Sequence, residues 1–579
     1  MSCEKSHDVE YKKNNEDYGE IIESSMIDNF DLTMISEDNP TPETTYGDFQ
    51  HLGFYIICVL IIYEILLLFM MGNITFLIFG ATVPSVVGCI GQNKNYTFTE
   101  NGCSKLLEIQ KNETCIPIIQ NQFESIQSEF NVYCNEAEVI KQTSAFLQMF
   151  AMMIGATFGG QLSDNFGRVK TIKYSLLLVI ICSFLCTYAT TIEVFNIYRF
   201  LGSIFVGAKS SVLHVLLLEY LPKQHRVWIS TILSFSPNYI IFSFMAYNTQ
   251  KWRILMFVIS CIGLTALILI HFVREPVRWL IQKGKLNKAR KSMIFIEKWS
   301  GKLTNNMEKK IFEYIEEESF KQKECERRKK GYTFKHLFVT WKLTAYTIFF
   351  GYSALVGCFI NYALIFNLEK VSGSIYMNTA YLGLIRWFFN ISVGALDYHI
   401  KCFGRKTCHT LAMCTIILTL SIVLFNIYVP LQHQYIVRFA TLFAISMCSQ
   451  IFIANSVSQT ELFPTSIRNI AVSFQAIFAR MGSIAAPFLF GFQSYFIALP
   501  YIIMITMSIV DLSALWVIIP ETKGERLKDH LPNKDEWIFG KRSRELKLLK
   551  EINSKKSIIN DEVDCQLMDD DNKRECNVI

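Results

Sequence analysis

Several charged residues in this 579-residue chain stand where charge is costly, and they suggest chemistry by attraction, not by bond-making. Arg480 lies inside the apolar run Phe478-Ala-Arg-Met-Gly-Ser-Ile-Ala-Ala-Pro487. An arginine at the centre of a membrane helix costs about 2.5–3.5 kcal/mol. A carboxylate ~4 Å away in an effective dielectric near 20 is worth about 4 kcal/mol, so Arg480 implies an acidic partner, either internal or part of a ligand. Arg386 and Lys209 stand in comparable apolar runs, and Glu64 and Asp511 are acids able to neutralise such cations from within. Lys209 has plainer alternatives, snorkelling or pairing with Glu64.

A second group of charges is duplicated. The skeleton Glu-x-x-Pro-x-x-x-Arg occurs as Glu219, Pro222, Arg226 and again as Glu461, Pro464, Arg468, at a constant offset of 242 residues. Each copy ends one long apolar run and precedes another, so each places an acid, a helix-breaking proline and a base where a membrane helix reverses. Asp164 with Gly167-Arg168 is answered by Asp397 with Gly404-Arg405, Tyr198-Arg199-Phe200 by Val437-Arg438-Phe439, and Arg274-Glu275-Pro276 by Pro520-Glu521-Thr522. Ordered landmarks at nearly one shift mean two parallel repeats. Charges at corresponding ends of two halves suit a gate that holds one conformation and releases it, with pairing expected across the halves. Helix capping and orientation during insertion is the plainer role.

No Gly-x-x-x-x-Gly-Lys-Ser/Thr loop, His-Glu-x-x-His, Gly-x-Ser-x-Gly or cysteine-histidine metal spacing occurs. We therefore expect no enzyme, no cofactor, no metal and no nucleic-acid partner.

The elements that must position these groups follow from composition. Hydrophobic residues make up 51% of the chain and aromatics 14%, charge is only 18%, and the mean hydropathy is positive, which marks a polytopic membrane protein. Residues 1–50 form an acidic tail without a cleavable apolar segment, and the first spanning helix runs from about His51 to Phe79. Residues 81–143 turn polar and carry Cys89, Cys103, Cys115 and Cys134 with the sequons at Asn95 and Asn112. That combination indicates a glycosylated, oxidised extracellular loop, with three disulfide pairings open. The basic segment after helix two, Asp164 to Lys170, fixes both termini inside.

Helices two to six are expected over about Ser144–Leu162, Thr171–Thr190, Ile197–Leu218, Val227–Tyr247 and Trp252–Val273, completing a bundle over 51–273. A basic cytoplasmic loop, 274–341, contains a helical run from Asn305 to Lys330; a solvated linker is its plain reading, and contact with acidic membrane lipid or a regulatory partner the other. Helices seven to twelve follow over about Leu343–Leu368, Tyr376–Leu396, Cys408–Tyr428, Tyr435–Ser458, Ile470–Phe492 and Phe496–Ile519, within a second bundle over 342–519, and 520–579 is a cytoplasmic tail.

Twelve helices in two six-helix halves, all α, with Gly160-x-x-x-Asp164-x-x-Gly167-Arg168, Pro276-x-Arg278-Trp279-Leu280 and Pro520-Glu521-Thr522-Lys523-Gly524, resemble the major facilitator superfamily. The loop after helix one and Glu461-Leu-Phe-Pro464-Thr-x-x-Arg468-Asn469 resemble solute carrier family 22, the organic cation, anion and carnitine transporters. The resemblance covers about residues 50 to 525. It implies a secondary carrier of the plasma membrane that moves a small organic ion by alternating access, alone, by exchange or with a counter-ion.

Within that family, anion and carnitine carriers have an arginine at the position of Arg480, and cation and carnitine carriers an acid near Arg386, so both arginines point to an anion or a carboxylate-bearing zwitterion. Tyr362 and Phe452 look like the family's substrate-contact positions. An organic cation or carnitine-type carrier, a sugar-porter-like carrier, and a transport-inactive binding or signalling protein are the alternatives.

Overall fold

The computed structural model describes residues 51–522 apart from 92–94, 99–101, 111–114, 223–224, 302, 329–332, 401–402, 430–433 and 465–466. The expected tail 1–50 and residues 523–579 of the other tail lie outside the described residues.

Eleven helices among the described residues are long and apolar enough to cross a membrane. In chain order the elements are α1 (Phe54–Gly80), β1 (Ser85–Gly91), β2 (Asn95–Thr97), α2 (Gly102–Gln110), β3 (Cys115–Gln120), α3 (Ile126–Glu129), α4 (Cys134–Phe166), α5 (Arg168–Thr187) and α6 (Ile192–Tyr220). They continue with α7 (Arg226–Ile232), α8 (Phe235–Thr249), α9 (Trp252–Leu269), α10 (Val277–Gln282), α11 (Leu286–Trp299), α12 (Asn305–Arg328) and α13 (Trp341–Phe366). The last five are α14 (Ile375–His399), α15 (Arg405–Tyr428), α16 (Gln434–Leu462), α17 (Arg468–Ala485) and α18 (Leu499–Ile518). The expected eighth span, α14, is long enough at 25 residues, but it is not among the eleven because Asn378, Arg386 and Asn390 dilute its apolar character.

Three boundaries differ from expectation for local reasons. α4 starts at Cys134, ten residues early, because the polar stretch before Ser144 still forms helix. The expected fifth helix breaks after Ile232, and Ser234 caps α8 by accepting a hydrogen bond from the Ser236 amide at 3.4 Å. The expected eleventh helix stops at Ala485, next to Pro487, and continues as a 3₁₀ segment over Ala486–Ser494.

Two compact units emerge. The smaller holds residues up to Leu60, Leu216–Arg226 and Arg274–Lys330. Its core gathers Val277, Trp279, Leu280, Met293, Ile311 and Ile315 from α10, α11 and α12, and the helical run expected from Asn305 ends at Arg328. The Tyr55 hydroxyl accepts the Arg274 amide at 2.9 Å, fixing the start of α1 within this unit.

The larger unit contains the remaining described residues. Its small antiparallel sheet has the order β2-β1-β3, and α2 packs on it around Val86, Cys89, Leu106 and Cys115. At the other end, Phe349, Phe350, Phe463 and Ile467 form a core where α13, α16 and α17 meet.

The duplication extends to atoms. The His225 amide returns to the Pro222 carbonyl at 3.1 Å, and the Ile467 amide to the Pro464 carbonyl at the same 3.1 Å. Arg199 binds the Gln148 and Asn73 side chains and lies 5.0 Å from the Phe76 ring; its counterpart Arg438 binds the Asn378 side chain and lies 5.3 Å from the Tyr381 ring. Gly167 and Gly404 are needed for different reasons. Gly167 turns the chain between α4 and α5 at φ 122°, where an L side chain is strained. Gly404 is extended, but a β-carbon there would collide with the Glu521 carboxylate.

Candidate functional site

The helix α17 that carries Arg480 packs along α13, which carries Cys358, Asn361 and Tyr362. Arg480 is half-buried and makes no hydrogen bond or ion pair with any described residue. Its charge acts on the Cys358 thiol and the half-buried Tyr362 hydroxyl, and the charge of Arg386 also reaches Tyr362. These three predicted residues are therefore brought together. Phe452 is half-buried on α16, its ring 3.4 Å from where a β-carbon of Gly357 would stand.

Arg386 is held quite differently. It is buried on α14, its Nη2 donating to Asn361 Oδ1 at 2.6 Å and to the Ile445 carbonyl at 2.8 Å, with the Tyr239 ring 5.6 Å away. Tyr239 belongs to α8, so Arg386 lies at the seam between the two repeats. Its Nε has no acceptor among the described residues. Lys209 is fully buried on α6; it donates to the Leu66 carbonyl at 3.1 Å and lies 4.6 Å from the Phe69 ring.

The internal acids are engaged elsewhere. Glu64 accepts from Asn238 at 2.8 Å, so the suggested Lys209–Glu64 pair is not formed; the ammonium settles on a carbonyl and a ring of α1 instead. Asp511 binds His409 at 2.7 Å and not an arginine.

Several charges at the helix turns have partners within their own repeat. Asp164 pairs with Arg168, one turn on, and Arg168 also donates to Ser163 Oγ at 2.9 Å. Arg405 pairs with Asp397 and, at 3.5 Å, with Glu461, whose other oxygen accepts from the Thr522 hydroxyl. Glu521 caps α15, accepting the Arg405 and Lys406 amides at 2.9 and 3.2 Å. Arg468 donates to the Phe463 carbonyl at 3.4 Å, within its own turn. Of these contacts only Asp164–Arg168 has i,i+4 spacing; those of Arg405, Glu461 and Glu521 join separate elements of the second repeat. Glu219 lies half-buried near the end of α6; Arg226 starts α7, and its side chain lies outside the described residues.

Contacts across the repeats concentrate at the end nearest the sheet. Lys141 on α4 pairs with Glu369 after α13, Glu369 also accepts the Val83 amide at 3.1 Å, and Lys370 pairs with Glu138 at 2.9 Å. Gln122 accepts the Ile375 amide at 2.9 Å, Tyr376 donates to the Gln122 carbonyl at 2.7 Å, and the Phe79 and Tyr376 rings stack 5.6 Å apart. Burial holds the Glu369 carboxyl above the ordinary carboxylate range even with the Lys141 ammonium beside it. Sequence reasoning missed this closure; the only signal was four charged residues next to apolar helix ends.

Of the loop features, Cys89 meets Cys115 and Cys103 meets Cys134 at disulfide-bonding distance, choosing one of the three pairings. Asn95 begins β2 with its side chain outside the described residues, and Asn112 lies outside them altogether. A cavity of about 310 Å³ in the second repeat is lined by Asn367, Lys370, Asn426, Gln434, Arg438 and Phe490, away from Arg480.

Comparison with known proteins agrees with this architecture. The family model described as sugar (and other) transporter matches residues 105–530. Organic anion transporter 3 of Oryctolagus cuniculus is 25% identical over 429 residues, 73% of this chain and 76% of its own length. The organic cation transporter protein of Drosophila melanogaster is 25% identical over 466 residues, 77% and 81% respectively. Among solved structures, the inward-open xylose transporter XylE from E. coli superposes with a TM-score of 0.57 at 16% identity, over 81% of this chain and 98% of that one.

Proposed function

The chain belongs to the sugar (and other) transporter family of the major facilitator superfamily, and on that premise we propose that this secondary carrier moves small organic anions across the plasma membrane. The observation that carries the charge class is Arg480: a half-exposed guanidinium on a membrane helix with no hydrogen bond or ion pair to any described residue, while Glu64 and Asp511 are bound to other residues. A bound carboxylate supplies the missing counter-charge, and Tyr362 offers an aromatic wall and a hydroxyl beside it. The name of the Oryctolagus cuniculus relative supports this reading.

In the same reading both termini are cytoplasmic, residues 81–143 are extracellular and glycosylated at Asn95 and Asn112, and the contacts around Glu369 shut the outer end. Asp164, Arg168, Glu219, Arg226, Glu461 and Arg468 act at the inner end. Cross-half pairing among them holds the inner end when the carrier faces outward.

A carboxylate-bearing zwitterion is the second reading, favoured by Glu64, whose buried Oε2 has no hydrogen-bond partner among the described residues and suits a cationic end. The test offers labelled anions, zwitterions and cations to cells expressing the chain, with and without a sodium or proton gradient. Saturable anion uptake is expected. Saturable uptake of cations alone would overturn the assignment.

A further inference from the structure

One buried titratable cluster plays no part in the site above. His409 on α15 is 1% exposed and Asp511 on α18 is 0% exposed. The imidazole Nε2 lies 2.7 Å from Asp511 Oδ2, and Nδ1 lies 3.0 Å from Asn455 Oδ1 on α16. The other end of the Asn455 amide donates to Ser353 Oγ on α13 at 2.8 Å.

With the amide in this orientation an oxygen faces each ring nitrogen, so each contact needs a proton and the His409–Asp511 pair holds one more proton than neutral imidazole beside carboxylate. A neutral imidazole has one N–H. With that proton on the Asp511 side, the Nδ1 lone pair would oppose the Asn455 carbonyl oxygen, and the conflict ends only if the amide turns over and takes a hydrogen bond from the Ser353 hydroxyl. Deprotonation would also leave the buried Asp511 carboxylate uncompensated, and its Oδ1 already has no hydrogen-bond partner among the described residues. Proton occupancy and amide orientation are thus one two-state element.

Other ionisable groups on the surrounding helices are Lys342, Tyr346, Tyr352, Cys358 and Tyr362 on α13, Arg405, Lys406, Cys408, Cys414 and Tyr428 on α15, Tyr435, Arg438, Cys448 and Glu461 on α16, and Tyr501 on α18. The Tyr352 hydroxyl is occupied, donating to the Met507 carbonyl at 3.2 Å. Arg405 matters most. It lies one helical turn from His409 and holds both Asp397 and Glu461.

We propose that His409 and Asp511 form a proton-binding site whose occupancy, passed along α15 to the Arg405–Asp397–Glu461 cluster, sets the rate at which the carrier turns over. One proton enters and one leaves per switching event, and no other bond changes. The link to turnover rests on the carrier reading; the proton site itself does not.

The test has two arms on the full-length chain. In lipid bilayers, solid-state nuclear magnetic resonance of isotope-labelled histidine follows the His409 ring, identified by its loss in His409→Gln. We expect the protonation state of the ring at a fixed pH to change in Asp511→Asn. A ring in the same state in wild type and in Asp511→Asn overturns the site. In proteoliposomes, uptake of carboxyfluorescein is expected to vary with internal pH in wild type and to lose that dependence in the His409→Gln/Asp511→Asn variant, with KM unchanged. An identical pH profile in a variant reconstituted at wild-type yield overturns the link. Absence of carboxyfluorescein uptake at every pH refutes the organic-anion reading instead, and the resonance arm still decides the proton site.

Discussion

Replacing Arg480 by Gln should improve one property and damage another, which separates a binding group from a structural one. The empty protein bears the cost of a mid-helix guanidinium, about 2.5–3.5 kcal/mol on insertion scales, with no hydrogen bond or ion pair among the described residues to offset it. Half-exposure reduces that penalty, so Arg480→Gln should raise ligand-free stability by roughly 1–2 kcal/mol. The same change removes the attraction for a bound carboxylate, about 4 kcal/mol at ~4 Å with an effective dielectric near 20, and roughly half that after screening. At 1.4 kcal/mol per decade, KM for a monocarboxylate should rise roughly 30-fold. Arg386→Gln is the internal control. It strips a donor from Asn361 and from the Ile445 carbonyl, both buried, and so should destabilise the empty protein by about 1–3 kcal/mol. The assay is thermal unfolding of purified protein in nanodiscs with and without a monocarboxylate, beside uptake in cells at matched surface expression. A lower ligand-free midpoint for Arg480→Gln, or equal losses for anionic and uncharged substrates, would refute the reasoning.

Three further outcomes follow from other contacts. Glu461→Gln weakens the grip on Arg405 and should slow turnover while leaving ligand affinity within about twofold; a loss of affinity alone would remove Glu461 from the gate. Glu369 has its carboxyl raised by burial in the closed outer end, so closure is favoured fully below the ordinary value of about 4.3 and fades as pH climbs through the raised one. Distance measurements between the outer ends of α4 and α13 should widen with external pH in wild type and become insensitive in Glu369→Gln. Cys103→Ser/Cys134→Ser opens a loop of 31 residues and should cost the outer domain about 3 kcal/mol, read as faster proteolysis between β1 and α4.

How much of this was legible depends on where each partner lies in the chain. The turns at Pro222 and Pro464 could be read because a proline ends a helix whatever surrounds it, and the same hydrogen bond closes both. The apolar runs located the helices for a similar local reason, and failed where polar residues continue a helix, as at Cys134, or where a serine restarts one, as at Ser234. Partners far apart were not legible. Lys141 and Glu369 are 228 residues apart, and nothing near either residue names the other. The sequence showed Asp511 as an acid able to neutralise an arginine, but its helix neighbours turn it to His409 instead. Arg480 and Arg386 read alike as intramembrane arginines, yet only the fold, which sets Arg386 on Asn361 of α13 and the Ile445 carbonyl of α16, distinguishes it from Arg480, which binds no described residue.

The early start of α4 has a mechanical consequence. Cys134, tied to Cys103, is the first residue of the helix, and Glu138 and Lys141 follow on its next two turns before the chain enters the apolar layer. One stiff rod therefore runs from a covalent anchor, past an electrostatic latch, into the bundle. Reduction of Cys103–Cys134 would untether the tip of that lever, so the redox state of that bond becomes an input to how readily the latch lifts.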